Sequence, residues 1–98
     1  YKKVKEIQIG YTGNYRVKFD LKKGTLSTGY GRIYMNGVAY GTEQTDMTGT
    51  YATKSEDLHF IAGDTCELHI HTGGAGDVFA KNFRLYADPV SNNSVITD

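Results

Sequence analysis

Ninety-eight residues with 39% apolar and 22% charged side chains exclude a disordered chain and allow one domain around a single core. Eleven basic residues balance eleven acidic ones, and zero net charge argues against a nucleic-acid binder, which needs a basic surface to release counterions. A lone cysteine, Cys66, excludes an internal disulfide, and no apolar run nears the roughly 18 residues of a membrane-spanning helix.

No signal-peptide pattern is present, and the first residue is Tyr rather than Met, so the expectation is a piece of a longer protein. Helical periodicity is absent, and twelve glycines divide the chain into short segments. Val4 to Ile9 reads as a first strand, turned by Gly10-Tyr-Thr-Gly-Asn14. The next segment has the cleanest alternation: Tyr15, Val17, Phe19 and Leu21 on one side, Arg16, Lys18, Asp20 and Lys22 on the other. A period of two with one apolar face is a strand half-buried on a core. Lysines and Arg16 dominate these first 23 residues, and their alternation with apolar positions predicts a solvated strand face rather than a polyanion site.

Lys23-Gly24 to Gly29 turns the chain. Gly31-Arg-Ile-Tyr-Met-Asn-Gly-Val-Ala-Tyr-Gly41 is then a β-hairpin. Asn36-Gly37 tolerates positive φ at both central positions, which a two-residue turn requires. Met35 should pair with Val38, and Tyr34 with Ala39. Glu43 to Gly49 reads as a loop. Thr50 to Phe60 is a strand with an expected bulge, because Tyr51 and the Leu58/Phe60 pair differ in parity. A turn over Ile61-Ala-Gly-Asp64 precedes a strand from Thr65 to Thr72, and Gly73-Gly-Ala-Gly76 forms a flexible tip. The last strand, Asp77 to Ala87, changes parity between Val78/Ala80 and Phe79/Phe83/Leu85, and Pro89 ends it. Residues 90–98 read as a polar C-terminal tail following a β-sandwich domain of residues 1–89. The pattern predicts an all-β protein: an antiparallel two-sheet sandwich of seven or eight strands with jelly-roll or Greek-key connections.

Chemistry-bearing constellations are sparse. His69 and His71, two apart on one strand, share a face and could bind zinc, with His59 joining if Phe60 pairs near Cys66 across the turn. Outward polar residues on alternating strands give the same arrangement without a metal, so no metal and no cofactor is assigned. Cys66 reads as a small buried hydrophobe. The glycine clusters lead into no helix and so form no phosphate cradle. No catalytic residue is assigned and no enzyme is expected. Phe19, Phe60, Phe79 and Phe83, with Tyr15 and Tyr51, are the expected aromatic core. Tyr11, Tyr30, Tyr34, Tyr40 and Tyr86 are the interaction candidates, since exposed tyrosine brings contact area at low entropic cost.

Arg32-Ile-Tyr-Met-Asn-Gly-Val-Ala-Tyr-Gly-Thr-Glu43, the Gly63-Asp64 turn and the closing Asn82-Phe-Arg-Leu-Tyr86 carry a resemblance. They resemble small jelly-roll modules of viral and phage structural proteins, most of all the turret proteins of Sulfolobus turreted icosahedral virus. The resemblance covers a little over half the chain. It implies a non-enzymatic virion component at the particle surface. Such a module builds a capsid vertex appendage with other protein subunits, is oligomeric in assembly, and touches a host-surface glycan. The alternative is a carbohydrate-binding module with tyrosines on one face as a sugar platform, which the absence of tryptophan disfavours.

Overall fold

The computed structural model describes residues 1–87 and, for the backbone, 95–97. Nine strands and no helix lie among them: β1 (Lys2–Gln8), β2 (Gly13–Lys23), β3 (Gly29–Met35), β4 (Val38–Ala39), β5 (Gln44–Asp46), β6 (Ala52–Phe60), β7 (Thr65–Thr72), β8 (Val78–Ala87) and β9 (Val95–Thr97). They form two sheets with every pairing antiparallel. The first sheet runs β1-β7-β3, with β4 and β5 sharing the outer edge of β3, and the second runs β6-β2-β8-β9. Counted as one position, β4 and β5 bring the sandwich to eight, within the expected number. The chain passes between sheets after β1, β2, β5, β6 and β7, so most neighbours are distant in sequence.

Alternation makes the core. Tyr15, Val17, Phe19 and Leu21 of β2 are buried, and Ile7, Ile33, Cys66 and Leu68 meet them from the first sheet. Each apolar side chain taken fully from water contributes about 1.5–3 kcal/mol. Gly31 faces inward on β3, where an added Cβ would come within 2.8 Å of the Phe19 ring. That glycine is a seat for the opposing aromatic.

The hairpin forms as expected. Asn36 and Gly37 have φ of 52° and 82°, and Met35 pairs with Val38 and Tyr34 with Ala39. Asn36 also ties the hairpin to the next turn. Its amide nitrogen donates to the Asp64 carboxylate and its amide oxygen accepts from the Thr65 N–H, both at 2.9 Å.

Several expectations need correction. β6 pairs with β2 from Ala52 to Phe60 without a register shift, so the expected bulge is absent, and Tyr51 lies just before the strand. A bulge does interrupt β8 opposite Lys18–Asp20, where Asn82 takes φ 55° and donates from Nδ2 to Asp20 at 2.8 Å. Asn tolerates this left-handed conformation because its short polar side chain bonds locally. The bulge lets Val78 and Ala80 pack inward before it, and Phe83 and Leu85 after it. Phe79 is therefore thrown outward at 43% exposure and Tyr51 at 40%, and neither belongs to the core. Gln44–Asp46, expected as loop, pairs with β3 because buried Asp46 pins it, accepting from the Lys23 and Gly49 N–H groups and the Thr48 hydroxyl. Within the expected polar tail, Val95–Thr97 adds a strand beside β8. The expected end at Pro89, the domain boundary there and residues 90–94 lie outside the described residues.

Candidate functional site

The outer face of the first sheet gathers five rings, those of Tyr1, Tyr30, Tyr34, His69 and His71. Tyr30, Arg32 and Tyr34 alternate outward on β3, and Glu67, His69 and His71 do so on neighbouring β7. The register sets Tyr30 opposite His71 and Tyr34 opposite Glu67, beside His69. Tyr34 stacks on His69 with centroids 3.7 Å apart, and Tyr30 stacks on His71 at 4.5 Å. Tyr1 meets His71 edge-on at 4.2 Å and donates its hydroxyl to Glu43. Burial, followed by that Glu43 contact, pushes the Tyr1 phenol above its ordinary value.

Glu67 anchors this face. It is 5% exposed. It accepts from the Thr65 hydroxyl at 2.6 Å, His69 Nε2–H at 2.9 Å and the Gly37 N–H at 3.0 Å. Burial opposes its charge, but these donors prevail and hold the carboxyl below the usual carboxylate range. Glu67, held by Thr65 and Gly37, orients His69 in turn, so the Tyr34–His69 pair stands on a fixed base.

The three candidate histidines do not converge. β6 and β7 lie in different sheets, so Phe60 does not pair with Cys66, and His59 sits on the second sheet with Nδ1 3.0 Å from Asn14 Oδ1. His69 and His71 share the outer face of the first sheet as expected, each engaged by a tyrosine ring. Among the described residues no three His, Cys, Asp or Glu side chains are placed to hold a metal ion. Cys66 is buried, and burial reinforced by neighbouring Glu67 pushes its thiol up to about 12, which removes it as a nucleophile.

The five candidate tyrosines divide over the molecule. Tyr30 and Tyr34 occupy the first sheet, while Tyr86 lies under the Lys18 ammonium on the second. Tyr11, 84% exposed, is in the β1–β2 turn. Tyr40 closes one side of the sandwich, donating its hydroxyl to the His59 carbonyl at 2.7 Å and meeting Phe60 edge-on. They do not share one plane as a sugar platform would.

Sequence reasoning missed a second cluster. Outward on the second sheet, the Lys22 ammonium lies 5.1 Å from the Tyr51 ring centre and 5.3 Å from that of Phe79, and Lys81 lies 4.1 Å from Tyr51. Beside Phe79 opens a shallow cleft of about 330 Å³, walled by Lys22, Lys23, Gly24, Thr25, Gly49 and Asp77. The available signal was Asn82, whose readiness to take positive φ marks where parity reverses and Phe79 leaves the core.

No known protein family, curated protein or solved structure matches this chain. Its functional reading therefore rests on its own geometry.

Proposed function

We propose that this chain is a non-enzymatic structural and interaction module of a virion, a building block of a capsid vertex appendage at the particle surface. The observation that carries this reading is the tyrosine–histidine face of the first sheet. Its rings are already stacked in pairs, one of them held by Glu67 through His69, so a partner subunit docks on them with little side-chain entropy left to lose.

The edges support contact through faces. β1 carries Lys2, Lys3 and Lys5 and a bulge between Lys3 and Lys5. On edge strand β6, Glu56 turns back to accept from the Thr42 N–H at 3.0 Å. Edge lysines, bulges and inward-turned charges all discourage strand-to-strand addition. The resemblance of the hairpin and closing-strand motifs to viral jelly-roll modules supports the virion setting.

Sedimentation analysis of the purified chain at rising concentration tests the contact face. Association that disappears in the Tyr30→Ala/Tyr34→Ala double variant is expected, and a strict monomer up to millimolar concentration overturns the assigned face. Immunogold electron microscopy of particles from the source culture tests the setting. Vertex labelling is expected, and unlabelled particles overturn it.

A further inference from the structure

We propose that the cleft beside Phe79 binds an acidic sugar unit, a saccharide ring bearing a carboxylate or sulfate. The inference rests on the second sheet and the loops at its end, and stands whether or not the chain builds an appendage.

A half-exposed phenylalanine near the start of β8, on its outward face, is the first observation. Phe79 contributes nothing to the core, and Val78 and Ala80 fill the interior on either side of it. Its ring and that of Tyr51 flank one ammonium, Lys22. Elsewhere on this sheet the guanidinium groups are matched by carboxylates, Arg16 with Asp57 at 2.8 Å and Arg84 with Asp20 at 3.8 Å. Among the described residues, neither Lys22 nor Lys81 has a carboxylate within ion-pair distance. Lys81 is coupled to Asp20 at longer range, so Lys22, between two aromatic rings, is the cation whose charge an incoming anion balances.

The cleft sets the size and the second half of the chemistry. About 330 Å³ lies at the lower end of ligand-pocket volumes and suits one ring with its substituents. The Gly24 N–H donates to the Asp77 carbonyl at 2.6 Å, and an added Cβ at Gly24 would come within 2.6 Å of that carbonyl oxygen. Two loops are thereby pinned together to form one wall. Asp77 and Thr25 on that wall supply an acceptor and a hydroxyl for sugar hydroxyls, while Lys22 faces the acidic substituent. The Phe79 ring takes the apolar C–H face of the sugar. Asp77 and the neutral whole-chain charge disfavour a nucleic-acid strand, which would need an unbroken basic track.

Amide chemical shifts of the ¹⁵N-labelled chain, titrated with a hyaluronan tetrasaccharide, test the assignment. Saturable shifts at Lys22, Gly24, Gly49, Asp77 and Phe79 are expected, absent with cellotetraose of the same length and with sodium sulfate alone. Phe79→Ala and Lys22→Gln should each weaken binding about five- to tenfold, with the remaining spectrum unchanged because both side chains are outside the core. Shifts spread over all lysines and equal in Phe79→Ala would mean diffuse charge attraction and overturn the proposal. So would equal saturation of the cleft by a (dT)₆ oligonucleotide or a hexaglutamate peptide, or the absence of any shift with the tetrasaccharide.

Discussion

Tyr34 and His69 stack across neighbouring strands with ring centres 3.7 Å apart and planes 7° from parallel. Paired rings contribute about 0.5–1.5 kcal/mol beyond the area they bury. A double-mutant cycle with Tyr34→Ala and His69→Ala, read from urea melts, should return a coupling energy in that range. Ring-current displacement of the His69 ring protons in the parent should vanish in Tyr34→Ala. Strictly additive single losses would show that the rings merely neighbour each other.

Acid should unfold this protein through its held carboxylates. Burial works against the charges of Glu67, Asp46 and Asp20, yet hydrogen-bond donors win in each case and all three titrate below their ordinary values. A carboxyl depressed in the folded state stabilises it above the unfolded pKa of about 4, and that stabilisation is lost as pH falls through the folded value. Thermal melts should therefore show a flat Tm from pH 7 to about 5 and a steep decline below about 4. Glu67→Gln should lower Tm at neutral pH and flatten the acid decline. A Tm unchanged between pH 5 and 2 would contradict this account.

The seat at Gly31 makes a packing prediction. Phe19→Ala empties the site and should cost about 3–5 kcal/mol. Gly31→Ala drives a methyl into the Phe19 ring and should cost about 1–3 kcal/mol by overpacking. Adding Gly31→Ala to Phe19→Leu should cost less than Gly31→Ala alone, because the smaller side chain leaves room. Denaturant midpoints of the four variants decide the matter.

Cys66 should be silent toward thiol reagents while the chain is folded. Its side chain is fully buried and its thiol is pushed up to about 12. Reaction with Ellman's reagent at pH 8 should proceed at the rate of opening and become fast in urea. Prompt labelling of the native protein would place Cys66 at the surface.

How much of this was legible in the sequence depends on how local the determinant is. The β2 face and the Asn36-Gly37 hairpin were readable because alternation and turn chemistry act within a few residues. A parity change in β8 was readable from its apolar positions, but the outward fate of Phe79 was not, because it depends on the bulge falling at Asn82, after Phe79 rather than before it. His59 was misplaced for a different reason. A turn at Ile61–Asp64 connects two strands equally well whether they pair or lie in opposite sheets, and only the packing of both layers decides. The shared face of His69 and His71 was readable from their spacing, whereas their tyrosine partners depend on pairing between β3 and β7.

Because β2 takes its neighbours from β6 and β8, and β7 takes one of its own from β1, no half of the molecule is complete by itself. Long stretches of chain must be closed into rings before any of these contacts rewards the lost freedom, which sets assembly in the range of about milliseconds to seconds. A nascent chain leaving the ribosome therefore holds the oily ribbon of β2 bare until its late-made companion emerges. Fragments that stop short of β8 are expected to clump rather than to persist as smaller modules.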